Sequence, residues 1–128
     1  MDAAHRAVTA YGDATGSQKT PQRVEYQAFA RITKDLSGAA VVAKSEFPRL
    51  AEALHQNLRL WTVLAAGVAQ DDNGLPETLR ARLFYLAEFT RAHTRKVLKG
   101  EAEADALIDV NTAVMKGLRQ QEQASCPV

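Results

Sequence analysis

Three observations predict an all-α protein, a small bundle of four main helices plus a short N-terminal one. Apolar residues recur at three- and four-residue spacing along most of the chain, Pro and Gly punctuation separates those runs, and no strong β signal appears. At 128 residues the chain is read as one helical domain over 1–128.

A short Ala-rich segment, roughly Asp2 to Tyr11, gathers Ala4, Ala7, Val8 and Tyr11 on one side. At that length a helix must dock to persist. The following "GDATGSQKT" reads as a loop. Thr20-Pro21 opens the next helix as N-cap plus first-turn proline, with Phe29, Ile32, Leu36, Ala39, Ala40 and Ala43 as its stripe. Gly38 predicts a bend or an end within it. Ser45 and Pro48 mark the start of the clearest helix, whose Leu50, Leu54, Leu58, Trp61, Leu64, Ala65 and Val68 share one face. "QDDNGLP" ends it, and Pro76 starts a helix running to about Lys99, with Leu79, Leu83, Leu86 and Val97 as its main stripe. Phe84, Tyr85, Phe89 and Leu98 lie outside that stripe, which predicts a helix covered on more than one face. Gly100 is the expected C-cap. Glu101, Glu103 and Asp105 are expected to load the first turns of the last helix, and residues 120–128 read as a frayed polar tail.

Composition narrows the function. With 16 basic against 15 acidic residues the net charge is +1, which argues against a strongly cationic nucleic-acid or membrane-surface binder. Arg80, Arg82, Arg91, Arg95, Lys96 and Lys99 crowd one helix but scatter around its circumference, as a solvated face does. His5, His55 and His93 fall in three different segments, none at metal-ligand spacing. No phosphate loop, nucleophile elbow or carboxylate pair is present, so the reading is a non-enzyme without cofactor or metal. The single cysteine, Cys126, near the C-terminus, fits a reducing compartment, and no apolar run reaches membrane-spanning length. A cytoplasmic protein is expected.

Two amides stand out. Asn111 falls near the middle of the stripe formed by Leu107, Val110, Val114, Met115 and Leu118, and Asn57 projects between Leu50 and Trp61. An unpaired buried amide costs on the order of 1–3 kcal/mol, so each needs a reason. In one reading each bonds a backbone carbonyl or a neighbouring polar side chain and fixes helix register. In the other, one of them lines a groove filled by a partner helix. Glu25 belongs with them, since it projects onto the Phe29–Ile32–Leu36 stripe one turn from the helix start. There it either stabilises the helix dipole at a partly exposed end or faces the partner groove.

Three segments carry a family resemblance: "TPQRVEYQAFARITKDL" from Thr20, "ALHQNLRLWTVLAAGVAQDDNGLP" from Ala53, and "LIDVNTAVMKGL" from Leu107. The ordered set of Pro21 with Glu25-Tyr26, Asn57 with Leu60-Trp61, Asn73 with Leu75-Pro76, and Leu107 through Asn111 to Gly117-Leu118 resembles FlaF, the flagellar biosynthesis regulator of alphaproteobacteria. One departure is Gln22, with Arg23 one place later, where a basic residue is expected after Pro21. The resemblance implies a non-enzymatic cytoplasmic protein that promotes flagellin synthesis or secretion and works opposite the translational regulator FlbT. It implies flagellin as partner, bound through its terminal helices by helix-in-groove recognition, and FlbT as a further contact. The alternative is post-transcriptional regulation of flagellin mRNA, through RNA or through FlbT. Glu25, Tyr26, Phe29, Asn57, Trp61 and Asn111 are the candidate partner-binding residues.

Overall fold

The computed structural model describes the backbone of residues 21–70 and 74–124 and the side chains of 26–70 and 74–120. Four α-helices follow one another: α1 (Pro21–Val41), α2 (Phe47–Val68), α3 (Glu77–Leu98) and α4 (Asp105–Ala124). The all-α prediction holds. The expected N-terminal helix, the Thr20 cap and Cys126 lie outside the described residues.

α1 opens at Pro21 and passes through Gly38 without a break. A Cβ there would stand 3.1 Å from Nη2 of Arg49, the flexible tip of a side chain near the start of α2. Ser45 does not cap α2 as the sequence suggested. Its Oγ donates back to the Val42 carbonyl at 3.3 Å and closes the turn, while Glu46 takes the N-cap position and Pro48 sits in the first turn.

α3 ends as predicted. Gly100 adopts φ +78°, and the N–H groups of Gly100 and Glu101 donate to the carbonyls of Val97 and Lys96 at 3.0 and 2.8 Å. This is the paired closure that a left-handed residue after a helix permits. α4 starts later than the acidic run suggested. Glu101 and Glu103 precede it, and only Asp105 lies in its first turn. The Ala104 carbonyl accepts from both Leu107 and Ile108. At the other end α4 continues to Ala124, so residues 120–124 of the expected tail are helical.

Antiparallel neighbours arrange the helices in a ring. α1 packs between α2 and α4, while α3 packs on α2 and meets α4 only sparsely. Two short turns, after α1 and after α3, lie at one end of the bundle. The start of α1, the α2–α3 loop and the end of α4 lie at the other.

The core divides accordingly. At the turn end Leu36, Ala39, Leu50, Leu54, Val97, Ala104 and Leu107 form one buried cluster. At the termini end Ala28, Phe29, Ile32, Leu60, Trp61 and Ala87 form a second, flanked by partly buried Leu64, Leu83, Leu86, Val110, Val114, Met115 and Leu118. α3 differs from expectation. Its buried line is Ala87, Thr90, Thr94 and Val97, not the leucines, and Phe84, Tyr85 and Leu98 are 40%, 70% and 45% exposed. The second covered face is therefore largely absent, and α3 is the most peripheral helix. No described helix is long and apolar enough to cross a membrane.

Candidate functional site

Polar side chains from three helices meet at the centre of the ring. Asn57 of α2 and Asn111 of α4 are both 0% exposed. The Trp61 indole N–H donates to Asn111 Oδ1 at 2.9 Å. Asn111 Nδ2 then donates to Thr33 Oγ1 of α1 at 3.1 Å and to Asn57 Oδ1 at 2.7 Å. The direction of this chain is forced. An indole nitrogen only donates, so the oxygen of Asn111 must face it, its nitrogen must face Thr33 and Asn57, and Asn57 must present its oxygen. Phe29 sets its ring against Trp61 at 5.5 Å between centroids and 79° between planes, the edge-to-face arrangement favoured by aromatic quadrupoles.

Four of the six candidate residues thus come together, but in the interior. Phe29, Asn57, Trp61 and Asn111 are sealed inside the bundle. The two asparagines bond neighbouring polar side chains, one of the register-fixing arrangements expected from the sequence. Tyr26 is half-buried nearer the surface, with the Arg119 guanidinium over its ring at 5.8 Å. The Glu25 side chain lies outside the described residues. Asn57 Nδ2 and Thr90 Oγ1 are buried without a hydrogen-bond partner among the described residues, at on the order of 1–3 kcal/mol each.

The surface feature lies beside this centre, between α3 and α4. Two contacts fix how the helices face. Arg119 reaching over Tyr26 turns the 115/119 flank of α4 toward α1, and at about 100° per residue Val110 and Val114 then point toward α3. On α3, His93 stacks on Phe89 at 5.2 Å, and its Nε2 lies 2.8 Å from the Glu103 carbonyl in the α3–α4 connection. That turns the 86/89/93 flank of α3 toward α4.

Near the connection the two helices are tied together. Farther along, Leu79, Leu83 and Leu86 on α3 and Val110, Val114 and Leu118 on α4 are all partly buried, and all but Leu79 pack against the second core cluster together with Leu64 and Ala65 of α2. The outer edge of α4 beside them is Ala113 and Gly117, both exposed. A Cβ placed on Gly117 would meet nothing within 4 Å. The result is an apolar seam, tied at the turn end and only partly covered toward the termini end, with one small-residue edge. Helical periodicity had counted these leucines and valines as core. Ala113 and Gly117 beside Val110 and Val114 were the signal that α4 has a second, small-residue flank.

The basic residues of α3 do not converge. Arg91 is paired with Glu88 at 2.6 Å, Arg80 reaches the Gln70 carbonyl at 3.4 Å, and the exposed Arg82, Arg95, Lys96 and Lys99 are spread around the helix. Among the described residues no group of three or more His, Cys, Asp or Glu is placed to hold a metal ion.

The sequence pattern of the flagellar protein FlaF family matches residues 7–118. The chain belongs to the FlaF family. No curated protein and no solved structure gives a significant match. FlaF is a family of flagellar proteins and not a known family of enzymes. The FlaF match starts at Ala7, well upstream of α1, and ends at Leu118, the last apolar residue of the seam.

Proposed function

We propose that this FlaF-family protein is a cytoplasmic chaperone that binds flagellin and promotes its synthesis or secretion, and that the α3–α4 seam is its binding site. The observation that carries the reading is the partly covered half of the seam, where apolar residues of two helices are only partly buried beside an exposed flank of Ala113 and Gly117. A cleft of that form takes one amphipathic helix, whose apolar stripe fits between Leu83, Leu86 and Val110, Val114. Unassembled flagellin offers such stripes on its terminal helices, which would otherwise await their neighbours in the filament. The small edge lets a guest backbone come close, and the short open length limits affinity so that the subunit can be released.

The buried quartet has a supporting role in this reading. Phe29, Asn57, Trp61 and Asn111 hold the floor and the register of α4, and Tyr26 and Arg119 hold its far flank. Regulation through flagellin mRNA finds less support, because the cations of α3 do not line up along a phosphate track.

Co-purification with flagellin tests the proposal. Gly117→Leu fills the open edge without touching the core and should weaken flagellin binding at least about tenfold, a loss of about 1.4 kcal/mol. Val114→Asp should weaken it further. A wild-type chain that binds no flagellin at micromolar concentration ends the chaperone reading. Unchanged binding by Gly117→Leu moves the site elsewhere on the molecule.

A further inference from the structure

The buried polar layer has a fourth member. Thr33 of α1, Asn57 of α2 and Asn111 of α4 are joined by hydrogen bonds at one level of the bundle. Antiparallel pairing of α2 and α3 about the loop between them brings Thr90 of α3 to that level. The pairing is anchored on both sides. It sets Leu50 across from Val97, which share the turn-end cluster, and Leu60 across from Ala87, which share the termini-end cluster. Asn57 and Thr90 fall between those pairs. Each of the four helices thus sends one buried polar side chain to the centre, with Asn57, Thr90 and Asn111 at 0% exposure and Thr33 at 7%.

Two groups in this layer are left over, and they are complementary. Asn57 presents its oxygen to Asn111, so its Nδ2 brings N–H donors to the other branch of the carboxamide. Thr90 Oγ1 has lone pairs to accept with and a proton to give. Neither atom meets solvent or a hydrogen-bond partner among the described residues.

We propose that one internal water molecule is bound between Asn57 Nδ2 and Thr90 Oγ1 and carries the amide chain across to α3. It accepts from the Asn57 amide and bonds the Thr90 hydroxyl, which gives it the polar partners that a buried water requires. Room comes from the small side chains a turn to either side, Ala53 on α2 and Ala87 on α3, both buried. The chain then runs with one polarity, from the Trp61 N–H through Asn111 and Asn57 to the water and Thr90, and each bond polarises the next. The water stands two links from the indole.

This inference goes beyond the flagellin reading and does not depend on it. It accounts for the buried line of α3, where Ala87, Thr90 and Thr94 occupy places that leucines would fill with more apolar surface. A leucine in place of Thr90 would leave Asn57 Nδ2 facing hydrocarbon. The water also ties α3, the most peripheral helix, to the other three.

The test compares the full chain with Thr90→Val, which keeps the shape of threonine and loses only the hydroxyl. Relaxation dispersion of the solvent oxygen nucleus counts long-lived internal waters without interference from proton exchange. Wild type should hold one such water more than Thr90→Val. A crystal structure of the wild type should place it within hydrogen-bonding distance of both Asn57 Nδ2 and Thr90 Oγ1. Equal counts in the two chains overturn the proposal, as does a crystal structure in which those two atoms bond each other directly. Stability supplies an independent sign. Loss of the bridge strands the Asn57 amide, so Thr90→Val should lower the folding equilibrium constant about tenfold. A rise in stability overturns the proposal, because that is the result of deleting an unpartnered hydroxyl.

Discussion

The two ends of this bundle use the same kinds of residue to opposite effect. At the turn end, Leu36, Leu54 and Leu107 are fully buried beneath two short connections, one of them pinned by Gly100. At the termini end the centre is as dry, with Phe29 and Trp61 buried, yet the surrounding aliphatic residues of α3 and α4 are only partly buried. The difference is connectivity. Helices joined by a short turn are held together there, and α3 and α4 are free to part as they leave it. A bundle with both ends closed would be more stable and would have nowhere to receive a helix.

Three substitutions sharpen or break this contrast. Leu54→Ala at the turn end should cost about 3–4 kcal/mol in urea unfolding, whereas Leu118→Ala on the seam should cost about 1 kcal/mol, since a partly buried side chain loses less burial and leaves less cavity. Equal losses would show the seam to be closed. Asn111→Leu should cost about 3 kcal/mol, because it strands the Trp61 N–H and leaves Asn57 and Thr33 without their donor. Thermal stability equal to wild type would mean that the amide chain contributes nothing net. Gly117→Ala is the smallest effect and has the opposite sign. It should stabilise the bundle by up to about 1 kcal/mol, as Ala for Gly does within a helix, because its Cβ meets only open space. A lowered melting temperature would place an unrecognised neighbour against α4.

Much of the fold was legible because punctuation and periodicity are local. Pro21, Pro48, Pro76 and Gly100 each stand within two residues of a helix boundary. The two buried asparagines were legible too, since an amide on an apolar stripe contradicts the pattern around it. Their partner Thr33 was not. Nor was the Thr90–Thr94 line that replaced the predicted leucine stripe of α3. Thr94 Oγ1 donates to the Thr90 carbonyl of its own helix at 2.6 Å, which disposes of its polarity and lets its methyl pack much as valine does. The seam was illegible for a different reason. Which flank of a helix stays open depends on how far its neighbour stands away, and neither helix encodes that distance alone. Capping fared unevenly: the Ser45 hydroxyl had two carbonyl or amide choices within one turn, and spacing could not say which it would take.

The directional amide chain has one more consequence, and it is optical. Trp61 is the only tryptophan in the protein, its ring is 1% exposed, and its N–H is committed to Asn111. Its emission is therefore a built-in gauge of the bundle's centre, blue while the four helices keep their register and red once water reaches the indole. A guest that only lies in the seam leaves that colour unchanged, whereas one that pries α4 from α2 announces itself without any added label.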